Sequence, residues 1–288
     1  MLNKLLDDAN LKKLKEEVDS SSSLLVEHLW DTPKALLATY LQKITGKHVL
    51  IVSGKKEDGL LDALSFFGKE PLDFLPWETL PDEDTPPNLD ISGERLNILH
   101  TLATTKKKQI VHCQVQSLMQ KVPSKKTLLP LCLLLQVGSE TSFDELPALL
   151  QELGYIRSPV ASDKGEFAIR GGLVDIFPIS SKEPYRIDFF GDTIEGIRVY
   201  DPVGQQSIRK VDEIFLGPAS EYLLLKKEKN PKTLLDYLGK NTLVILDDLL
   251  AIEDTYVSLQ SLAKDSHFSL NDFLDKLKEL THFFFLNE

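Results

Sequence analysis

The chain has 288 residues, 42% hydrophobic and 27% charged, which is enough for about two globular domains with a sizeable core. Its 33 basic and 44 acidic residues give a net charge of −11. This argues against tight DNA binding by this chain alone, because affinity for phosphates comes largely from basic patches. No apolar run is long enough to cross a bilayer, and the charged N-terminus is untypical of a signal peptide, so we expect a cytoplasmic protein without a membrane partner.

Residues that commonly bind metals are scattered along the chain. The two cysteines, Cys113 and Cys132, do not have the spacing of a metal or redox pair. We expect them to be buried free thiols in a reducing compartment. The six histidines form no HExxH motif and no His–Cys cluster. The sequence therefore predicts neither a metal site nor a cofactor.

Helices and strands alternate in the first part of the chain. Leucines at helical spacing predict a helix from Leu2 to Val18, and Thr32-Pro33 predicts the cap and first position of a helix that Gly46 ends. The later predicted elements are strand His48–Val52, helix Leu60–Phe67, strand Leu72–Leu75, helix Ile91–Leu102 and strand Ile110–Cys113. This alternation is typical of a parallel sheet covered by helices on both faces.

The pattern changes near Lys125. A strand is predicted over Leu128–Val137 and a helix over Ser142–Gly154. Glycines and prolines then separate three further strand candidates: Leu173–Phe177, Tyr185–Phe190 and Ile194–Tyr200. Because glycine and proline break strands and supply turn dihedrals, this pattern predicts an antiparallel meander with a tight hairpin near Gly191.

The helix–strand alternation returns after Pro218. The predicted elements are helix Pro231–Leu238, strand Thr242–Leu246, a helix from about Asp254, helix Leu270–Leu280 and strand His282–Leu286. We therefore expect residues 127–217 to form a smaller α+β domain, inserted into an α/β domain made of residues 1–126 and 218–288.

Arginine is concentrated in the meander. Five of the six arginines lie in or beside it: Arg157, Arg170, Arg186, Arg198 and Arg209. Arginine suits planar, bidentate recognition of carboxylates, so this concentration predicts a docking surface. Strand alternation puts Arg186, Asp188 and Phe190 on one face. Two other interpretations stay open, since the arginines can pair with nearby carboxylates such as Asp188, Asp192 and Glu195, and Phe190 can be a core residue.

Three long motifs resemble one known family. They are RGGLVDIFP followed by PYRIDFFGDTIEGIRVYDP, then PWETLPDEDTPPNLDISGERLNILHTL from Pro76 to Leu102, and VQSLMQKVP from Val115 to Pro123. In their order along the chain, which is Pro76–Leu102, Val115–Pro123 and then the RGGLVDIFP stretch, they are similar to the N-terminal UvrB-homology module of the bacterial transcription-repair coupling factors (Mfd), over about Ser23 to Val257. The resemblance implies a degenerate RecA-like parallel-sheet domain, lacking its nucleotide site and interrupted by a smaller α+β domain.

The resemblance also implies a partner. In this family, and in UvrB, the inserted domain binds UvrA, and the matching contact residues here are Arg170, Arg186 and Phe190. We add Arg198 because of its position on the neighbouring strand. We expect substitution of Arg170 or Arg186 to weaken UvrA binding with little effect on the melting temperature. RNA polymerase and DNA are expected to bind parts of the full protein that lie outside this chain.

Nucleotide chemistry is not predicted for this chain. The place where a RecA-like domain carries its phosphate-binding loop, Glu27 to Leu37, has no glycine, and Lys34 is not followed by Ser or Thr. Leu243–Asp248 resembles a Walker B strand, but without that loop we interpret it as a buried strand with solvated carboxylates. There is also no GxSxG nucleophile motif. We expect a non-catalytic chain that neither binds nor hydrolyses ATP.

Two other functions stay open on the sequence alone. One is a UvrB-like nucleotide-dependent enzyme with an unrecognised site. The other is an intramolecular clamp that keeps the full protein inactive by covering its own docking face. Trp77 is expected to be an aromatic packing anchor in a proline-rich loop.

Overall fold

A computed structural model describes residues 13–14, 16–18, 23–55, 58–79, 85–262, 275 and 281–286. The chain divides into two compact units, each made of non-contiguous segments. The first, here called the parallel-sheet unit, comprises Met1–Asp84, Thr101–Lys121 and Lys232–Glu288. The second, the meander unit, comprises Thr85–His100 and Val122–Pro231. The inserted-domain bounds of residues 127–217 stay a prediction.

Fourteen strands are described. In chain order they are β1 (Ser23–Glu27), β2 (His48–Ser53), β3 (Leu72–Phe74), β4 (Ile110–Gln114), β5 (Leu133–Gln136), β6 (Ile156–Arg157), β7 (Glu166–Arg170), β8 (Leu173–Ile176), β9 (Tyr185–Phe190), β10 (Thr193–Asp201), β11 (Gln206–Val211), β12 (Glu213–Leu216), β13 (Thr242–Asp247) and β14 (Thr281–Leu286). The helices with described bounds are α1 (Asp31–Thr45), α2 (Asp58–Phe66), α3 (Leu89–Thr104), α4 (Val115–Met119), α5 (Lys125–Leu128), α6 (Leu146–Glu152), α7 (Glu221–Lys227), α8 (Leu234–Leu238) and α9 (Leu249–Leu262).

The parallel-sheet unit contains a six-stranded sheet in the order β1-β14-β13-β2-β4-β3. Every pairing in this sheet is parallel. Strands β2 and β13 are buried along their whole length, as expected for a sheet covered on both faces. Their apolar side chains join a core cluster with α1 and α2, which includes Leu41, Val49, Leu60 and Ile245.

The meander unit contains a second six-stranded sheet, in the order β11-β10-β9-β8-β7-β6. Four of its pairings are antiparallel, and only the pairing of β6 with β7 is parallel. Strands β5 and β12 form a separate antiparallel pair. The predicted fold class is confirmed: a degenerate RecA-like parallel-sheet domain interrupted by a smaller α+β domain.

The sixth arginine lies outside the predicted docking stretch and has a structural role. Arg95 on α3 and Glu221 on α7 have fully buried side chains, joined by hydrogen bonds of 2.8 and 3.1 Å within the meander unit. Loss of either partner of a buried ion pair is strongly destabilising.

Some predicted elements differ from the observed ones. Leu128–Val137 is not one strand, since α5 and a 3-10 turn over Leu129–Leu131 precede the short β5. The first helical residue of α1 is Asp31 and its N-cap is Trp30, so Thr32 lies inside the first turn. The predicted helices Leu2–Val18 and Leu270–Leu280 lie largely outside the described residues. No helix in the described ranges is long and apolar enough to span a membrane.

Candidate docking face of the meander sheet

The two faces of the meander sheet have different compositions. One face is apolar and carries buried side chains from alternate positions, including Phe167, Val174, Ile187 and Ile197. The other face, here called the docking face, carries the alternate charged positions. Across it, Asp175, Arg186, Arg198 and Lys210 lie directly opposite one another on β8, β9, β10 and β11. The expected shared face of Arg186 and Asp188 is therefore observed.

Two tight turns set the register that builds this face. Arg170 pairs with Leu173, and Phe190 pairs with Thr193, so each hairpin loop has two residues. The first loop residues, Gly171 and Gly191, each have a φ of 60°. A positive φ at the first loop position is the pattern of a type II′ turn, whose twist matches that of the flanking strands. Glycine adopts this conformation without a Cβ penalty.

Arg186 is held by a buried carboxylate. Its Nε and Nη2 donate to the two oxygens of Asp175 at 2.6 and 2.7 Å. Asp175 is only 2% exposed, and its partner's side chain is 12% exposed. The guanidinium also lies 4.7 Å from the ring centroid of Tyr200. The hydrogen bond to Asp175 raises the pKa of Arg186 above its ordinary value.

This geometry corrects two expectations. The alternative that Arg186 pairs with Asp188, Asp192 or Glu195 is wrong, because its partner is Asp175. The premise that Arg186 is an exposed side chain is also wrong, and we now expect its replacement to cost stability, because the buried Asp175 would lose its counter-charge.

Arg170 is exposed and its contacts are neutral. Its Nη1 donates to Oε1 of Gln205 and its Nη2 to the carbonyl oxygen of Pro159, both at 3.0 Å. Among the described residues no carboxylate forms an ion pair with it. Two of its five N–H donors are in use, which leaves three for another molecule.

Arg198 is paired as the alternative interpretation proposed. Its Nη2 donates to Oδ1 of Asp188 at 2.6 Å, and both side chains are about one-third exposed. Its Nε is buried and has no hydrogen-bond partner among the described residues. Arg198, Asp188 and Lys210 line a cavity of about 570 Å³ on the docking face.

Phe190 is exposed and is not a core residue. It ends β9 and is 75% exposed, whereas its neighbour Phe189 lies 5.3 Å from Phe143, measured between ring centroids. The structure therefore places Arg170, Arg186, Arg198 and Phe190 on one face, with an exposed aromatic beside charged groups.

The region of the expected phosphate-binding loop contains an internal ion pair. Lys34 on α1 donates to Oδ1 of Asp247, the last residue of β13, at 2.6 Å, and both side chains are buried. The expectation that Asp247 is solvated is therefore wrong. Burial raises the pKa of Asp247, and the hydrogen bond from Lys34 partly offsets this increase. Lys34 is thus committed to a protein carboxylate.

A serine–histidine–aspartate chain was not anticipated from the sequence. His112 lies 2.9 Å from Oγ of Ser53 through Nε2 and 2.7 Å from Oδ1 of Asp73 through Nδ1. The Ser53 hydroxyl donates to the carbonyl oxygen of Lys55 at 2.5 Å, and Ser53 is 1% exposed. These contacts link β2, β4 and β3 internally and do not present a nucleophile to solvent. The three residues are far apart in sequence, so no motif could reveal them.

Trp77 is positioned through its backbone. The side-chain amide of Gln120 accepts from its N–H at 2.9 Å and donates to its carbonyl oxygen at 3.2 Å. Gln116 donates to the same carbonyl at 3.0 Å. Among the described residues no group of three or more metal-binding side chains is found.

Comparison with known proteins identifies a matching family and several relatives of this chain. Residues 133–222 match the family described as "UvrB interaction domain". The chain is 34% identical over 194 residues to the transcription-repair-coupling factor of Escherichia coli K12, covering 65% of this chain and 17% of that protein. It is 34% identical over 204 residues to the protein of the same name from Mycobacterium tuberculosis, covering 68% of this chain and 16% of that protein. The chain therefore matches about one-sixth of the length of these relatives.

Proposed function

We propose that this chain, which belongs to the family of the transcription-repair-coupling factors and carries a UvrB interaction domain, acts in transcription-coupled DNA repair by recruiting UvrA. The relatives' name and the matched domain support a role in coupling transcription to repair. UvrA as the partner, and the docking face as the surface, are our assignments. In this account the chain contributes binding and no catalysis.

One observation carries the assignment. An exposed aromatic side chain, Phe190, lies on the same sheet face as Arg170, Arg186 and Arg198, within the residues that match the UvrB interaction domain. Aromatic residues and arginine are enriched among the side chains that dominate binding energy at protein interfaces. The chain as a whole has a net charge of −11, whereas this face concentrates arginine and is a local cationic surface for an acidic partner surface.

The proposed role needs other parts of a longer protein. The relatives are about six times as long as the part this chain matches, so we assign RNA polymerase binding, DNA translocation and ATP hydrolysis to segments outside this chain. The Lys34–Asp247 pair supports this division, because it engages the lysine nearest the expected phosphate position with a carboxylate of the same unit.

The test is a calorimetric titration of UvrA with the purified chain. Arg170→Ala should weaken binding at least ~10-fold, which is about 1.4 kcal/mol. The matched control is Arg157→Ala, which removes an exposed arginine from β6. Arg157 pairs with Phe167, a residue of the apolar face, and so does not belong to the docking face. The control should bind like the original chain. Failure of the original chain to bind UvrA, or equal losses in both variants, would contradict the proposal.

A further inference from the structure

Gln205 lies between the two arginines of the docking face. Its side-chain oxygen Oε1 accepts from Nη1 of Arg170 and from Nη2 of Arg186, both at 3.0 Å. Its backbone carbonyl also accepts from Nη1 of Arg186 at 3.4 Å. Two guanidinium groups from separate strands therefore converge on one oxygen atom, although the sequence separates them by sixteen positions.

The backbone holds this oxygen in place. Gln205 has a φ of 55°, a left-handed conformation that is uncommon for a residue with a Cβ. Asp201 stabilises the preceding turn by accepting from the N–H groups of Val203 and Gly204, both at 3.0 Å. The Gln205 side-chain amide donates to the Pro202 carbonyl at 2.6 Å. These contacts hold the Gln205 side-chain oxygen between the two guanidinium groups.

The charges around this oxygen are not balanced. The charge of Arg186 is compensated by Asp175, but the contacts of Arg170 are the neutral Gln205 and Pro159. An amide oxygen carries only a partial negative charge, whereas a carboxylate carries a full charge on two oxygens. A carboxylate adds the attraction between opposite full charges, and its two oxygens can accept from a guanidinium in a bidentate way that a single amide oxygen cannot. A carboxylate at this position is therefore better matched to the two arginines than the amide is.

We propose that the position of the Gln205 side-chain oxygen is a carboxylate subsite, which takes an Asp or Glu side chain of the docking partner. Gln205 occupies this subsite in the unbound chain and gives way when the carboxylate binds, while Asp175 still holds Arg186 and the Pro159 carbonyl still holds Arg170. This inference rests on the proposed function, because it takes UvrA as the partner. Its local claim, that two arginines form one carboxylate site, can also be tested without UvrA.

The decisive variant is Gln205→Glu. It replaces the side-chain amide with a carboxylate of the same size, so the chain's own carboxylate occupies the subsite. We expect this variant to melt at a higher temperature than the original chain and to bind UvrA at least ~10-fold more weakly, since its own carboxylate competes with the partner's. Gln205→Ala removes the occupant and keeps both arginines. We expect it to bind UvrA within ~3-fold of the original chain, a change under about 1 kcal/mol.

The matched control is Gln206→Glu. It makes the same charge change on the neighbouring, exposed residue, which has no described hydrogen bond to either arginine. This control should bind UvrA like the original chain. If it weakens binding as much as Gln205→Glu, the effect is general repulsion and the subsite is refuted. A strong loss of binding in Gln205→Ala would also overturn the proposal, because Gln205 would then be a contact residue itself.

A partner-free measurement separates this inference from the proposed function. A short polyglutamate peptide is titrated into isotopically labelled chain at low salt while the Arg170 Nε–H resonance is followed. We expect the resonance to shift in the original chain and in Gln205→Ala, and to stay fixed in Gln205→Glu. If UvrA does not bind but this pattern appears, the proposed partner is wrong and the subsite stands. Equal shifts in all three proteins, or none, would refute the subsite.

Discussion

The residues of the docking face differ in their exposed surface and in the number of hydrogen-bond donors that they can offer a partner. Phe190 is mostly exposed, and Arg170 keeps three unused donors. Arg186 is largely buried and already makes two bonds to Asp175. Truncation of Phe190 or Arg170 therefore measures partner contact, whereas truncation of Arg186 measures contact and stability together.

We predict that Arg186→Ala lowers the free energy of unfolding by about 3–5 kcal/mol, because it leaves the buried Asp175 charge without a partner. Chemical denaturation of the variant measures this loss. The double variant Arg186→Ala/Asp175→Ala should recover part of it, since no isolated charge remains. A single variant as stable as the original chain would show that Asp175 is solvated or neutral.

For the individual side chains of the docking face, the sequence predicted which residues share a face but not which carboxylate each arginine pairs with. Alternation along β9 is enough to place Arg186, Asp188 and Phe190 on one side of the strand. The partner of Arg186 depends on the register between β8 and β9, which the sequence does not fix when eight residues separate the strands. The role of Gln205 depends on a turn conformation, so neither composition nor spacing pointed to it.

The elements with strong local signals were predicted well. Strands β8, β9 and β10 follow glycine and proline breaks, and the two-residue loops at Gly171 and Gly191 fix their hairpins. Leu128–Val137 was assigned wrongly because a short apolar run fits a buried helix or a strand equally well. Ser124 caps α5 by accepting from the Thr127 N–H at 3.2 Å, and Pro130 ends the regular pattern. Ser124 and Pro130 were therefore the sequence signals that could have indicated a short helix and a turn before the strand.

Between elements, the Lys34–Asp247 pair joins α1 to the end of β13. We predict that Lys34→Met alone destabilises the chain by about 3–5 kcal/mol, because a buried carboxylate loses its counter-charge. Lys34→Met/Asp247→Leu should restore most of the stability, since an apolar pair of similar volume often replaces a buried ion pair without loss. Thermal denaturation of both variants checks this. Equal losses of stability in the single and double variants would show that the loss comes from altered packing and not from an unpaired charge.

For the whole molecule, alternation of helices and strands was enough to predict a parallel sheet interrupted by an antiparallel meander. The strand order could not be predicted, since it depends on pairings between distant segments. The clearest case is β14, which pairs with both β1 and β13 although it follows β1 by more than 250 positions. The net charge of −11 describes the whole chain and does not report the local concentration of arginine from which the docking face was predicted.

The proposed function depends most on Phe190, an exposed side chain that should contribute to binding and not to the stability of the fold. The measurement is the affinity of Phe190→Ala for UvrA, made together with its melting temperature. We predict binding at least ~10-fold weaker, a loss of about 1.4 kcal/mol or more. The melting temperature should stay nearly unchanged, because replacing an exposed side chain usually costs under ~0.5 kcal/mol of stability. Binding equal to that of the original chain, or a fall in melting temperature that accompanies the loss of binding, would contradict the proposed role of Phe190.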